Sequence, residues 1–296
     1  MPFFPLLRPD VLVLGAGGTL GEAWMTGVLA GIEHASGFDL RETETFLGTS
    51  AGAIVAARLA AGRRPQGPTK PGRAAETVVG GGGPPLLERA AARLLGPACA
   101  PAMRLERLPG GLARSAVLAL LPEGTRSLSE IERAIGRLRA RFDGRLRVAC
   151  VERRSGRRVV FGAPGAPAAS VAEAVAASCA IPGYYRPARI GGRDYVDGAA
   201  WSLLNLDAAP AGHRTEVLCL NPNAGLPAAI GSPLGVVRAV LRSRQVLELA
   251  ALRRRGARLR MIGPSAPAAR LMGPDLMDPR PRQAVLRAGY AQGLAL

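Results

Sequence analysis

Short apolar runs alternate with longer amphipathic stretches along most of this chain. Val11-Leu12-Val13-Leu14 is one such run, uninterrupted and closed by glycines, which is the pattern of a strand buried on both faces. The same reading predicts strands near 10–14, 44–49, 145–152, 158–162, 188–196, 217–221 and 258–262. Between them, apolar residues spaced by three and four predict helices near 22–35, 51–61, 86–96, 111–121, 128–141, 170–180, 234–255 and 281–292. Two of these starts carry an S-x-x-E capping box, Ser127-Leu128-Ser129-Glu130 and Ser170-Val171-Ala172-Glu173. Strands and helices alternating in this way predict an α/β fold, a three-layer α/β/α sandwich on a mostly parallel central sheet.

With 296 residues and 48% hydrophobic content, the chain can bury one substantial core, and the regular alternation favours a single domain over 8–295. The pattern dissolves between Gly62 and Pro85, where prolines and the run Gly80-Gly81-Gly82-Gly83 predict a flexible loop. A long loop beside a reactive group is a candidate lid.

Three motifs carry chemistry. Gly48-Thr49-Ser50-Ala51-Gly52 ends an apolar run and opens an alanine-rich helix, the context that exposes a serine nucleophile on a strand-to-helix turn. Taken alone it also fits a tight turn with a helix-capping serine. Gly15-Ala16-Gly17-Gly18-Thr19-Leu20-Gly21 follows the first strand and offers backbone N–H groups to a phosphate, a pyrophosphate or an oxyanion. A dinucleotide fold would end its second strand in an acidic residue, whereas Thr43 to Leu47 leads into the serine turn. Downstream, Asp197-Gly198-Ala199 places a carboxylate at the end of an apolar-alternating segment, where it can act as a base or simply form a turn.

In this chain order the motifs resemble the patatin-like phospholipases, lipid acyl hydrolases with a Ser–Asp dyad. The resemblance runs through most of the chain and extends to Ala177-Ser178-Cys179-Ala180-Ile181-Pro182-Gly183 and to Tyr195 through Ala208 around the aspartate. It implies Ser50 as nucleophile, Asp197 as general base and Gly15, Ala16, Gly17, Gly18 and Gly21 as the oxyanion loop. It further implies a nucleophile turn flanked by Gly48 and Gly52, an aspartate motif completed by Gly198 and Ala199, a lipid ester as substrate, and no cofactor or metal. Two positions depart from the family: Ala16 interrupts the glycine run, and Leu20 stands where Arg or Lys is usual. If the missing cation weakens the loop, Leu20→Arg should raise kcat. Two other readings stay open: a Ser-His-Asp esterase using His213, since Ser50, Asp197 and His213 follow the α/β-hydrolase order, and a catalytically weak lipid-binding regulator, favoured by Leu20.

The formal net charge is +17, carried by arginine, since Lys70 is the single lysine. Residues 127–158 hold ten arginines against four acids, and residues 238–260 hold eight against one. Such stripes suit anionic lipid headgroups, so peripheral contact with an anionic membrane surface is expected. Few aromatics and the lack of a helix-turn-helix or RNA-binding signature argue against nucleic acid. Cys99, Cys150, Cys179 and Cys219 are scattered without a CxxC pair and are expected as reduced thiols. The amino end lacks a basic n-region and no apolar run approaches a membrane span, so a cytoplasmic location is expected.

Overall fold

The structure of the chain is a computed structural model describing residues 7–68, 110–224 and 233–296, without the side chains of 110–113 and 233–243. The expected helix at 86–96, most of the loop expected at 62–85, and Cys99 lie outside the described residues.

Eight strands build one sheet: β1 (Val11–Leu14), β2 (Thr45–Gly48), β3 (Leu146–Glu152), β4 (Arg158–Phe161), β5 (Ala188–Ile190), β6 (Arg193–Asp197), β7 (Glu216–Leu220) and β8 (Arg258–Ile262). The hydrogen-bonded order is β5-β6-β3-β2-β1-β7-β8, with β4 also paired to β3. β3, β2, β1, β7 and β8 run parallel, while β4, β6 and β5 enter antiparallel. Helices α1 (Gly18–Ser36), α2 (Ala51–Ala60), α3 (Gly110–Leu120), α4 (Ser129–Gly136), α5 (Val171–Ser178), α6 (Pro233–Arg254), α7 (Ala266–Met272) and α8 (Arg282–Leu294) complete the frame.

Alternation along each strand divides the interior between the two sheet faces. Leu12, Leu14, Phe46 and Val148 join the larger core with Trp24 and Leu29 of α1, Ile54 of α2 and Val285 of α8. Val11, Val13, Leu47 and Cys219 join a smaller one with Leu204, Leu206 and Leu252 of α6, and Val151 and Val196 pack with Leu118 of α3. The tightest helix pair is α1 with α8. A Cβ on Gly27 would stand 2.2 Å from the Leu286 carbonyl oxygen, and one on Gly293 2.2 Å from that of Val28, so these helices touch backbone to backbone.

Several elements differ from the sequence expectation. The single strand expected at 188–196 is the hairpin β5–β6, because Gly191 and Gly192 at φ 55° and 76° make a two-residue turn with positive φ at both positions. The first helix begins at Gly18 rather than 22, and α4 ends at Gly136 rather than 141. Ser170 and Glu173 form the reciprocal capping box. Ser127 does not cap Glu130; its hydroxyl accepts from the N–H of Ser129, and α4 starts at Ser129. Helix α7, with Ser265 capping it and Pro267 in its first turn, had no sequence counterpart.

The register on β3 decides where the serine and aspartate motifs stand. Phe46 to Gly48 of β2 pair with Leu146 to Val148, while Asp197 to Tyr195 of β6 pair with Cys150 to Glu152. Because β4 pairs with both Val148 and Cys150, it fills the opposite edge, leaving β2 and β6 on the same edge of β3. β2 runs parallel to β3 and β6 antiparallel, so their carboxyl ends meet head to head across Ala149.

The α1–α8 contact predicts that Gly27→Val lowers stability by about 3 kcal/mol or more in denaturant unfolding, since backbone must move to admit the side chain. Gly37→Ala, at φ 72° with nothing within 4 Å, is expected to cost about 1–2 kcal/mol. Equal costs would contradict the close approach.

Candidate active site

Ser50 occupies the helix-cap position of α2 without capping it. Its backbone holds φ 53° and ψ −120°, a conformation costing about 1–3 kcal/mol for a non-glycine residue, and its side chain makes no cap hydrogen bond. Instead the Ser50 Oγ donates to Asp197 Oδ2 at 2.7 Å. The glycines around it are sterically required: a Cβ on Gly48 would come within 2.4 Å of the Ala53 Cα, and one on Gly52 within 2.0 Å of the Leu14 oxygen. The Ser50 N–H donates to Ser178 Oγ at 2.9 Å, and that hydroxyl donates onward to the Ala149 carbonyl at 2.7 Å. Ser178 thus ties the strained turn to the strand segment over which β2 and β6 meet.

Asp197 is 3% exposed. Burial pushes its carboxyl up to about 7, against the opposing pull of hydrogen bonds from the Ala199 N–H and the Ser50 hydroxyl. The Ala199 N–H reaches Asp197 Oδ1 at 2.8 Å, so one oxygen is aimed by backbone and the other faces the serine. Gly198 is confined too, because a Cβ there would meet the Ala149 oxygen at 2.3 Å.

The glycine loop leaves β1 at the same end of the sheet, since Leu14 is level with Gly48. Its first two N–H groups are engaged, Gly15 with the Leu220 oxygen at 3.0 Å and Ala16 with the Leu203 oxygen at 2.8 Å. Ala16 is therefore no oxyanion donor in this conformation; its carbonyl is in turn held by the Asn223 side chain. Among the described residues, the N–H groups of Gly17 and Gly18, and that of Ala51 after the serine, have no partner. Gly17 precedes α1, so its N–H and that of Gly18 stand at a positive helix end. Gly21 faces Pro222 rather than the sheet, a Cβ there lying 3.0 Å from the proline.

A second ring of buried polar groups fixes the turn from the opposite face. Asn205, held at φ 55°, donates from Nδ2 to Thr49 Oγ1 at 3.1 Å and to the Ser202 oxygen at 2.8 Å. Ser202 Oγ donates to Glu248 Oε2, which also accepts from the Leu206 N–H. Burial pushes Glu248 up to about 7. Beside it, Trp201 is flanked by the guanidinium groups of Arg114 and Arg244, 4.1 and 4.0 Å from its ring centre. Sequence reading missed Ser178, Asn205 and Glu248. Ser178 and Asn205 stood inside stretches already singled out, without a role of their own, while Glu248 carried no local pattern.

His213 is exposed and precedes β7, next to Gly256. Ser50 follows the carboxyl end of β2, and β7 alone separates the two levels by about 13 Å at 3.3 Å per residue. The esterase reading through His213 is thereby overturned. His34 hydrogen-bonds Tyr290 between α1 and α8, away from the serine.

The patatin-like phospholipase family model matches residues 12–210, two-thirds of the chain and every motif above. The chain belongs to the patatin-like phospholipase family. VipD from Legionella pneumophila is similar over 98% of this chain at 15% identity and a TM-score of 0.44. The type III effector protein ExoU is similar over 97% at 15% identity and a TM-score of 0.36. This patatin-like chain spans 66% and 52% of those two chains, respectively. None of the curated proteins matches it.

Within this patatin-like site the departure at Leu20 has a structural reading. Leu20 is fully buried in the larger core, and its N–H donates to the Leu276 oxygen at 2.9 Å. The loop is thus held by burial and by the 276–277 segment, against which a Cβ on Gly18 would collide at 2.7 Å. Leu20→Arg would bury a charge, so it is expected to destabilise the protein instead of raising kcat.

The buried carboxyl sets a pH dependence of stability. Between about pH 4 and 7 the folded Asp197 keeps a proton that the unfolded chain has released, so stability falls as pH rises through that window. Asp197→Asn should therefore raise the melting temperature more at pH 8 than at pH 5. An equal gain at both pH values would show that the carboxylate is not under desolvation stress.

Proposed function

We propose that this chain hydrolyses fatty acyl esters of phospholipids or related lipids through a Ser50–Asp197 dyad. The observation that carries this reading is the 2.7 Å hydrogen bond from a serine on a positive-φ turn to a buried, backbone-aimed carboxylate. The Ser50 oxygen attacks the ester carbonyl as its proton passes to Asp197, and the N–H groups of Gly17, Gly18 and Ala51 receive the developing oxyanion. Collapse expels the alcohol, which takes the proton from Asp197, leaving an acyl-serine. Water then attacks, again losing its proton to Asp197, and the fatty acid departs as that proton returns to Ser50.

Ser50→Ala and Asp197→Asn are each expected to abolish hydrolysis of p-nitrophenyl esters with the fold intact by circular dichroism. His213→Ala should retain most activity; a loss of a hundredfold there, about 2.7 kcal/mol, would reinstate a triad. Because Asp197 must be ionised to accept the proton, kcat/KM should rise with pH through an acid limb near pH 7. A profile flat from pH 5 to 9 would remove Asp197 as the base. A fluorophosphonate probe that labels wild type but not Ser50→Ala separates this reading from a lipid-binding regulator with an inert serine.

We further propose peripheral contact with anionic membranes. The described arginines of the two stripes are spread over α4, β3, β4 and the segments joining them in one case and over α6, β8 and the segment joining them in the other. Several are paired, among them Arg153 with Glu123, Arg158 with Asp207 and Arg258 with Glu216. Exposed stripe arginines such as Arg137, Arg253 and Arg254, and the +17 net charge, support the attraction, each arginine near an anionic surface contributing around 1 kcal/mol. Among the described residues no helix is long and apolar enough to cross a membrane. Cosedimentation with vesicles should strengthen with anionic lipid fraction and weaken with salt; indifference to both would rule the contact out as electrostatic.

A further inference from the structure

A cavity of about 630 Å³ opens between α1, α2, α4 and α8. Six arginines line it, Arg58, Arg63, Arg64, Arg133, Arg137 and Arg282, against one carboxylate, Glu130. Arg58 lies eight residues beyond Ser50 along α2, about 12 Å at 1.5 Å per residue, so this space is separate from the dyad.

Its floor is unusual in its hydrogen bonding. The Arg282 side chain is only 7% exposed, and while its Nη2 stands 3.8 Å from Glu22 Oε1, its Nε and Nη1 have no partner. Arg58 Nη1 reaches the same Glu22 oxygen at 2.5 Å, so two guanidinium groups share one buried carboxylate and a positive charge remains. At the rim, Arg63, Arg133 and Arg137 are exposed and form no ion pair among the described residues, whereas Arg64 is held by Glu33 and Asp39. A buried guanidinium with unpartnered donors and an unbalanced charge is costly, and an anion held in the cavity that Arg282 lines would compensate that charge.

We propose that this cavity binds a small anion carrying two or more phosphate groups, seated on Arg282 and walled by Arg58, Arg63, Arg133 and Arg137. Guanidinium groups pair bidentately with phosphate oxygens, and several of them around one space outnumber what a single phosphate can engage. The volume suits a small molecule. The adjoining sequence carries more cations than acids. Residues 69–109, which continue from the Pro65-Gln66-Gly67 wall, carry six cations and three acids. The proposal does not depend on the hydrolase reading.

Titration calorimetry of the full chain with tripolyphosphate and with inositol hexakisphosphate tests it, alongside flotation with phosphatidylcholine vesicles containing a phosphatidylinositol bisphosphate. Binding should weaken tenfold or more in Arg282→Gln and in the rim double variant Arg133→Glu/Arg137→Glu. It should persist in a control double variant outside both arginine stripes and outside the cavity, Arg186→Glu/Arg270→Glu, whose positions are exposed. If Arg282→Gln does not fold, the rim variant decides alone, since both of its positions are exposed. Variant-sensitive binding of the soluble anions assigns the site to a free polyphosphate; variant-sensitive binding of the vesicles alone assigns it to a lipid phosphate. No binding by wild type in either arm would overturn the proposal. So would equal weakening in cavity and control variants, which would mark diffuse attraction to a basic protein.

Discussion

Everything at the catalytic end depends on two strands terminating on the same edge of β3. β2 and β6 approach Ala149 from opposite directions, and neither can extend without displacing the other. That collision is what brings Ser50 and Asp197, 147 residues apart in sequence, to hydrogen-bonding distance. The unpaired middle of the edge is occupied by side chain and turn: the Ala149 carbonyl accepts from Ser178, and Gly198 passes so close that it excludes a Cβ. A side chain at 198 would push the aspartate's turn off β3 and open the dyad from below.

The same junction explains the charge state of the site. Bringing two strand ends together in a sheet covered on both faces leaves little water around Asp197, and burial raises its carboxyl more than the two hydrogen bonds lower it. In the proposed reaction a carboxylate with ordinary acidity would bind the serine proton weakly, whereas one poised near neutrality would accept it with less loss in the transition state. Glu248, raised for the same reason, sits at the far end of the Ser202–Asn205–Thr49 chain of hydrogen bonds. The price of a preorganised serine turn in this fold is therefore at least two carboxyl groups held against their solvation preference.

The order of elements and the serine and aspartate of the proposed dyad could be marked in the sequence because the motifs around them are local. Gly48 is dictated by contacts within a strand-turn-helix unit that is contiguous in sequence, whereas Gly52 is dictated by the backbone of the neighbouring β1 at Leu14, and the G-x-S-x-G pattern marks both. The hairpin at Gly191-Gly192 was equally local yet hidden, since alternation continues smoothly across β5 and β6 and only the paired glycines mark the reversal. Ser178, Asn205 and Glu248 could not be found this way. Their roles arise from contacts spanning 128, 156 and 46 residues with Ser50, Thr49 and Ser202, and no spacing rule links such positions. Leu20 misled for a related reason: compared with the family pattern it is a lost cation, whereas in the packed chain it is a buried anchor.

Arginine chemistry then accounts for how so basic a chain folds. With 39 basic and 22 acidic residues, one-to-one pairing must leave a surplus of cations. Part of the surplus is absorbed by carbonyl oxygens: Arg145 binds those of Arg41 and Thr43, Arg114 those of Ala200 and Gly156, and Arg255 that of Ala209. Part is absorbed by the ring of Trp201, which three guanidinium groups approach within 5.2 Å. Lysine could do neither as well, because a planar fork of donors can reach two carbonyls at once and stack on an indole face. Where neither carbonyl nor ring is at hand, the guanidinium donors stay open. Arg282 is such a place, enclosed by helices whose own carbonyls are already committed to their hydrogen-bond ladders.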